Sequence, residues 1–226
     1  MQDLTGHGRS EERLTRLNEC FLAFTADPLE NIRRLTSLCG EQMGGACALY
    51  NRLENGMLHT LAQWNAPPDL KLEDHPDGHL CHDVIMKGGN QLFCVQNLPE
   101  TPYAGTDPNV SRYGLRTYIG MPVSLKGICV GSLCVVFQDD RSADEEDRRF
   151  IEILAIAIGV EEERRMAGEE LRKAHAELEK RVEERTAELA RANEQLRIDI
   201  SERKKAEEAL WKSETILRMV FEAIPD

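Results

Sequence analysis

Tyr113-Gly-Leu-Arg-Thr-Tyr-Ile-Gly-Met-Pro-Val123, followed by Gly127 and then Gly131-Ser-Leu133, is the stretch from which the fold is read. Its apolar and β-branched residues fall into two runs, about Thr117 to Leu125 and Ile128 to Gln138, turning at Lys126-Gly127. The spacing predicts two neighbouring strands. The second run is apolar on both faces, which places it centrally in a sheet covered on both sides. Upstream, Ala46 to Leu53 and Met57 to Trp64 read as strands joined through Asn55-Gly56, a dipeptide suited to the positive φ angles of tight hairpins. Two helices precede them, one with Leu14, Leu17, Phe21 and Phe24 at helical spacing and one after Asp27-Pro28 with Leu29, Ile32, Leu35 and Cys39, ended by Gly44-Gly45. Between the strand pairs lie a short helix from Gly78 to Lys87, a short strand near Leu92 to Val95, and a long loop from Gln96 to Ser111. Loops of that length often carry function.

Downstream, Ser142 stands three residues before Glu145, the spacing of a capping box, with Asp144 and Glu145 placed against the positive end of a helix dipole. From there no proline intervenes until Pro225, and one register spaced alternately four and three residues links Phe150 and Leu154 to Leu171, Leu178, Val182, Leu189, Leu196, Leu210 and Leu217. That pattern specifies a coiled coil, and at 1.5 Å per residue it could extend roughly 120 Å. The seam is interrupted by Glu161, Arg164 and Gly168, and again by Asp199 and Arg203, while a parallel dimer would bring Glu202 toward Glu207 of its partner. Register is loosely specified there, which fits either of two readings: charged seam residues that snorkel and merely lower stability, or a bistable relay.

The chain has 226 residues and a formal net charge of −12, and neither its first 160 residues nor the remainder is basic. An electrostatic footprint for nucleic acid or anionic membrane is missing. The longest apolar runs are strand-length and the N-terminus is polar, so neither a spanning helix nor a signal peptide is visible, and a cytoplasmic location is expected. Seven cysteines with no CxxC pair, several in apolar runs, suit reduced thiols.

These residues resemble the GAF domain, a small sensory module of bacterial signalling proteins. The likeness rests on the Tyr113–Val123 stretch, Gly127, Gly131-Ser-Leu133, and the acidic run Asp144 to Asp147 leading into Phe150, Leu154 and Ala157. It implies an α+β fold: an antiparallel sheet of five or six strands, helices on one face, a ligand pocket on the other, and here a long C-terminal coiled-coil helix. The implied organisation is a polar N-terminal segment over 1–13, a GAF sensory domain over 14–160, a coiled-coil signalling helix over 161–215, and at 216–226 a stretch resembling the start of a PAS domain. Linkers like Leu178 to Leu189 occur in sensor kinases and cyclic-dinucleotide enzymes. The resemblance implies a homodimer formed through the terminal helices and coiled coil, an unidentified small-molecule ligand, and a downstream kinase or cyclase output.

Candidate site residues follow from chemistry. His75, His79, Cys81 and His82 bring four possible metal ligands within eight residues, but a helix over 78–87 would turn Cys81 toward the core and His82 about 100° away. Cys81 as a pocket-lining thiol and the histidines as loop and surface residues is the preferred reading, with no metal. Trp64, Tyr103, Tyr113 and Tyr118 are the aromatics available to stack on or cap a ligand, with Cys81, His82 and Cys94 beside them. Arg112 and Arg116 could neutralise an anionic one. Bilin-binding GAF domains carry a Cys-His pair just before the strand starting near Thr117; here Asp107 to Arg112 holds no cysteine. In the related free methionine-R-sulfoxide reductases the catalytic cysteine falls in a segment corresponding to Gln96 to Ser111, again without cysteine, and Cys81 with Cys94 is the nearby pair. The reading is therefore regulatory ligand binding without catalysis. A ligand-free dimerisation and spacer module and a reductase-like redox enzyme are its alternatives.

Overall fold

The computed structural model describes residues 3–89 and 91–222. Its centre is a six-stranded antiparallel sheet in the order β3-β2-β1-β6-β5-β4, with β1 at Cys47–Glu54, β2 at Met57–Trp64, β3 at Glu73–Asp74, β4 at Phe93–Val95, β5 at Thr117–Leu125 and β6 at Ile128–Phe137. The hairpin turn at Asn55-Gly56 forms as expected, with φ of 52° and 78°, and Lys126-Gly127 does the same between β5 and β6. β6 lies between β1 and β5, and both its faces are covered.

Alternation along the strands builds two cores. Leu133, Val135 and Phe137 of β6, Ile119, Met121 and Val123 of β5, and Ala48 and Tyr50 of β1 face one layer. That layer contains α1 (Asp3–Leu22), α2 (Pro28–Met43) and the first turns of α6 (Glu145–Glu222). On the opposite face Cys134 and Val136 of β6, Tyr118 of β5 and Cys47 of β1 pack with Leu80 and Val84 of α3 (Leu80–Lys87), and with Leu98 and Val110 of the following segment. The expected long loop is thereby ordered: a 3-10 turn at Leu98–Glu100, then α4 (Tyr103–Thr106) and α5 (Pro108–Arg112).

Several expectations are corrected. The expected polar segment 1–13 is, over its described residues 3–13, part of α1, and Arg13 is buried, donating to Asp147 Oδ1 at 2.7 Å and to the Gln42 carbonyl at 3.0 Å. In α1 it is Leu17 that is buried, while Leu14 is exposed. The capping box that opens α6 is one pair later than Ser142 and Glu145. Asp144 accepts from the Asp147 amide at 2.7 Å, and Asp147 accepts from the Asp144 amide at 3.4 Å. Asp147 also receives Arg141 at 3.2 Å, and Arg141 donates to the Met43 carbonyl at 2.6 Å, so one buried carboxylate ties α1 and the end of α2 to the start of α6.

The chain divides into two compact units, residues 1–168 and 169–226. The first extends past the expected boundary at 160, and the seam residue Glu161 belongs to it. Glu161 is 3% exposed, receiving Asn31 Nδ2 of α2 at 2.9 Å and Arg164 at 2.8 Å. In the second unit the described residues are helical, and the register residues Leu171, Leu178, Val182, Leu189, Leu196 and Leu210 are all exposed. The side chain of Leu217 and most of the 216–226 segment lie outside the described residues. No helix among the described residues is long and apolar enough to cross a membrane.

Candidate functional site: a cavity beneath the outer helices

The register of β1 against β2 shifts between Tyr50 and Asn51, so Tyr50 pairs with Ala62 but Asn51 pairs with Thr60. A bulge of this kind reverses which residues of the bulged strand face each side. Ala62 therefore packs in the helix-side core, whereas Leu58 and Thr60 turn to the other face. There, between the sheet, α3, α5 and the 65–71 segment, lies a cavity of about 490 Å³. Its walls are apolar, with Leu49, Leu58, Leu70, Leu80, Leu115 and Val136, and polar groups converge at two places. This is the usual composition of a small-molecule site.

The first polar group is centred on Cys81, the second residue of α3. Its Sγ accepts Asn51 Nδ2 at 3.1 Å and the Tyr118 hydroxyl at 3.4 Å, and lies 3.7 Å from Cys134 Sγ. Thr60 Oγ1 donates to Asn51 Oδ1 at 2.7 Å, fixing the amide so that its N–H points at the sulfur. Ser132 Oγ, 3.1 Å from the Tyr118 hydroxyl, can donate to it and leave the phenolic proton for Cys81. Gly120 makes room for this ring, since a Cβ there would come within 2.5 Å of it. Hydrogen bonds from Cys134, then Tyr118 and Asn51, outweigh burial and hold the Cys81 thiol below its ordinary pKa. The hydrogen bond to Cys81 and burial push the Cys134 thiol well up, and burial does the same to the Tyr118 phenol.

The second group is centred on Asp107, buried at the start of α5. Its carboxylate accepts the Asn109 amide at 3.0 Å as a helix cap and the Leu80 amide at 3.1 Å at the start of α3. His79 Nδ1 lies 3.4 Å from Asp107, and its Nε2 3.8 Å from Asp74. The hydrogen bond to Asp107 raises the His79 pKa against the opposing effect of burial. Gly78 lets this corner close, with φ of 85° and the Thr106 carbonyl oxygen only 2.5 Å from where a Cβ would sit.

Of the residues expected at a site, Cys81, Tyr113 and Tyr118 line this cavity, and Trp64, His82, Cys94 and Tyr103 do not. Trp64 stands on the helix side of the sheet with its ring against Gly40. Cys94 is exposed on the edge strand β4, away from Cys81. Tyr103 donates to Asp83 at 2.5 Å outside the cavity, and burial with that carboxylate pushes its phenol up to about 12. Arg112 and Arg116 are paired at the surface with Asp69 and Asp140, each at 2.5 Å. His79 is buried, against the surface placement expected of it, and among the described residues no three His, Cys, Asp or Glu side chains are placed to hold a metal. Asn51, Thr60, Asp107 and Ser132 were missed. Thr60 and Asn51 depend on the bulge, whose position no turn residue marks.

The GAF domain family model matches residues 27–161, more than half of the chain. The chain belongs to the GAF domain family. Its GAF fold is similar to the GAF domain of a phosphoenolpyruvate-protein phosphotransferase from Coxiella burnetii, at 16% identity and a TM-score of 0.60 over 73% of this chain and 98% of that one. It is also similar to the A. aeolicus NLH2 GAF domain, described in an inactive state, at 10% identity and 0.55 over 70% and 97%. A third likeness is to the free methionine-R-sulfoxide reductase of Neisseria meningitidis, solved with its substrate, at 19% identity and 0.54 over 65% and 85%. At these identities the likeness is one of fold. No curated protein sequence matches the chain significantly. Within the GAF domain, both polar groups of the cavity lie on one face of the sheet, and the charged network of α6 lies on the other.

Proposed function

We propose that the GAF domain is a regulatory sensor of a bacterial signalling protein, located in the cytoplasm, that binds a small molecule in the cavity. The reading is carried by the cavity itself, about 490 Å³ with apolar walls and polar groups converging at Cys81 and Asp107. A ligand-free spacer has no use for such a space, because filling it with the protein's own side chains would add burial and stability. The route from cavity to helix is short. Asn51 faces the cavity, and the next residue of β1, Arg52, faces the other way and pairs with Glu162 of α6. The exposed apolar register of the second unit suits pairing with the same helix of a second copy as a parallel coiled coil, carrying the signal toward a PAS domain and a kinase or cyclase output. A ligand shifts such a relay only by its differential affinity for two arrangements.

Native mass spectrometry of the purified chain, compared with its denatured mass, tests this. A dimer carrying extra mass that is lost on denaturation is the expected result. A clean dimer that gains no mass from any metabolite mixture would favour the spacer, and a monomer would remove the relay. We place the chain among binding modules rather than enzymes, and methionine sulfoxide turnover that disappears in Cys81→Ser would overturn that placement.

A further inference from the structure

Two donors and a second thiol around one sulfur are more than a structural cysteine requires. Buried thiols ordinarily pack as small hydrophobes, as Cys39 does at the helix-side core, where its nearest sulfur partner is Met43 at 3.7 Å. Cys81 differs in three respects that bear on thiol reactivity: its place on a helix, its donors and its neighbouring thiol. It lies in the first turn of α3, where the helix dipole favours negative charge, and it opens onto a cavity that admits small molecules. Its sulfur is held by an amide N–H at 3.1 Å and a phenol O–H at 3.4 Å, each positioned by its own partner, Thr60 and Ser132. A second thiol, Cys134, stands 3.7 Å away on the central strand β6 and lines the same cavity. The remaining cavity cysteine, Cys47, lacks these donors, and burial pushes its thiol up to about 12.

We infer that Cys81 and Cys134 are a redox-active pair, oxidised by small hydroperoxides that enter the cavity and restored by soluble thiols. The Cys81 thiolate attacks one peroxide oxygen, the O–O bond breaks, and the departing alkoxide or hydroxide takes a proton from solvent. Sulfur gives up two electrons and becomes a sulfenic acid. The sulfur of Cys134 then attacks it, the S–O bond breaks, and water leaves with the Cys134 proton. The sum is two thiols and one hydroperoxide giving one disulfide, one alcohol (or water) and one water. Bringing the sulfurs from 3.7 Å to a bond of about 2.05 Å draws the start of α3 onto β6. It also removes the charge that Asn51 and Tyr118 point at, so the cavity changes in both shape and polarity. The pair shares the cavity of the proposed sensor but needs no ligand there, and linkage mapping reads it whatever the cavity holds.

The test uses the whole chain with Cys94→Ser, which removes the exposed thiol on β4. The reduced protein is treated with a small excess of hydrogen peroxide at neutral pH, its free thiols are alkylated, and the unreduced digest is mapped by mass. The expected result is a single linked peptide joining Cys81 to Cys134, lighter by two hydrogens and reversed by dithiothreitol. With Cys134→Ser or Cys134→Ala added, dimedone should mark Cys81 in place of the linkage, several-fold faster than it marks Cys20 or Cys129. Recovery of Cys81 and Cys134 as free thiols while other cysteines oxidise would overturn the inference. So would a linkage joining different cysteines. If both Cys134 variants misfold by circular dichroism, the linkage map of the Cys94→Ser chain decides alone.

Discussion

Arg52 of β1 and Glu162 of α6 form an ion pair with both side chains inside the protein, Glu162 being 0% exposed. The carboxylate also receives the Tyr50 hydroxyl at 3.0 Å and Arg165 at 3.0 Å, so its negative charge is fully surrounded by donors. Removing one member of such a pair strands the other without water. We expect Arg52→Met to lower unfolding stability by about 3–5 kcal/mol, and Arg52→Met with Glu162→Leu to recover much of it. Urea denaturation of the single and double variants measures the difference. A single variant as stable as the parent would show that the pair does not hold α6 to the sheet.

His79 makes stability depend on pH in a definite direction. Its folded pKa is raised by Asp107 above the ordinary 6.5, so the protonated form is the one that folding favours. The stabilisation is complete below 6.5 and is lost as pH rises through the folded value. Denaturation midpoints taken from pH 6 to pH 9 should fall, and His79→Gln should flatten that fall.

The start of α6 has the opposite dependence. The Asp144 carboxyl is lowered by Arg9 and the Asp147 amide, which outweigh partial burial, and that of Glu146 by Ser10 and Arg9. Their contribution is present above the usual carboxylate range and is lost as pH falls through the lowered values. Arg9→Gln should move the acid unfolding midpoint to higher pH, followed by far-ultraviolet circular dichroism.

Gly78 is a backbone requirement. Gly78→Ala demands a left-handed conformation and sets a Cβ against the Thr106 carbonyl oxygen, so we expect a loss of about 1–3 kcal/mol. Hydrogen exchange should show the loosening at α3 and α4 first, leaving the β1–β6 ladder protected.

In the second unit, Leu178→Asp with Leu189→Asp places two charges on the exposed apolar register. Sedimentation equilibrium should show a weaker self-association than the parent, since a charge at a seam position is buried on pairing. Identical association constants would assign dimerisation to other surfaces.

The sheet was legible because its signals are local. Asn55-Gly56 and Lys126-Gly127 can take the positive φ the turns need, and the doubly apolar Ile128 to Gln138 run could only be central. The start of α6 was misplaced by two residues because Ser142/Glu145 and Asp144/Asp147 have the same spacing, and only the second pair meets buried Arg13 and half-buried Arg141. The cavity was half legible. Cys81, Tyr113 and Tyr118 follow from the resemblance and the helical phase of α3, but Thr60 and Trp64, which a regular strand would put on one face, fall on opposite faces through the bulge at Tyr50/Asn51. Glu161 reads as an interruption of the seam, and Arg13 as part of a polar segment, because nothing in a linear pattern announces a partner more than a hundred residues away.

The carboxylates of Asp147, Glu161 and Glu162 index α6 like keys on a shaft. Turning the helix by a single residue, 100° about its axis, would withdraw Asp147 from Arg13 and leave at least one of Glu161 and Glu162 without its partner. The domain therefore resists axial rotation of this end of α6. A displacement that keeps all three keys engaged, a tilt or a small slide, leaves these pairs intact.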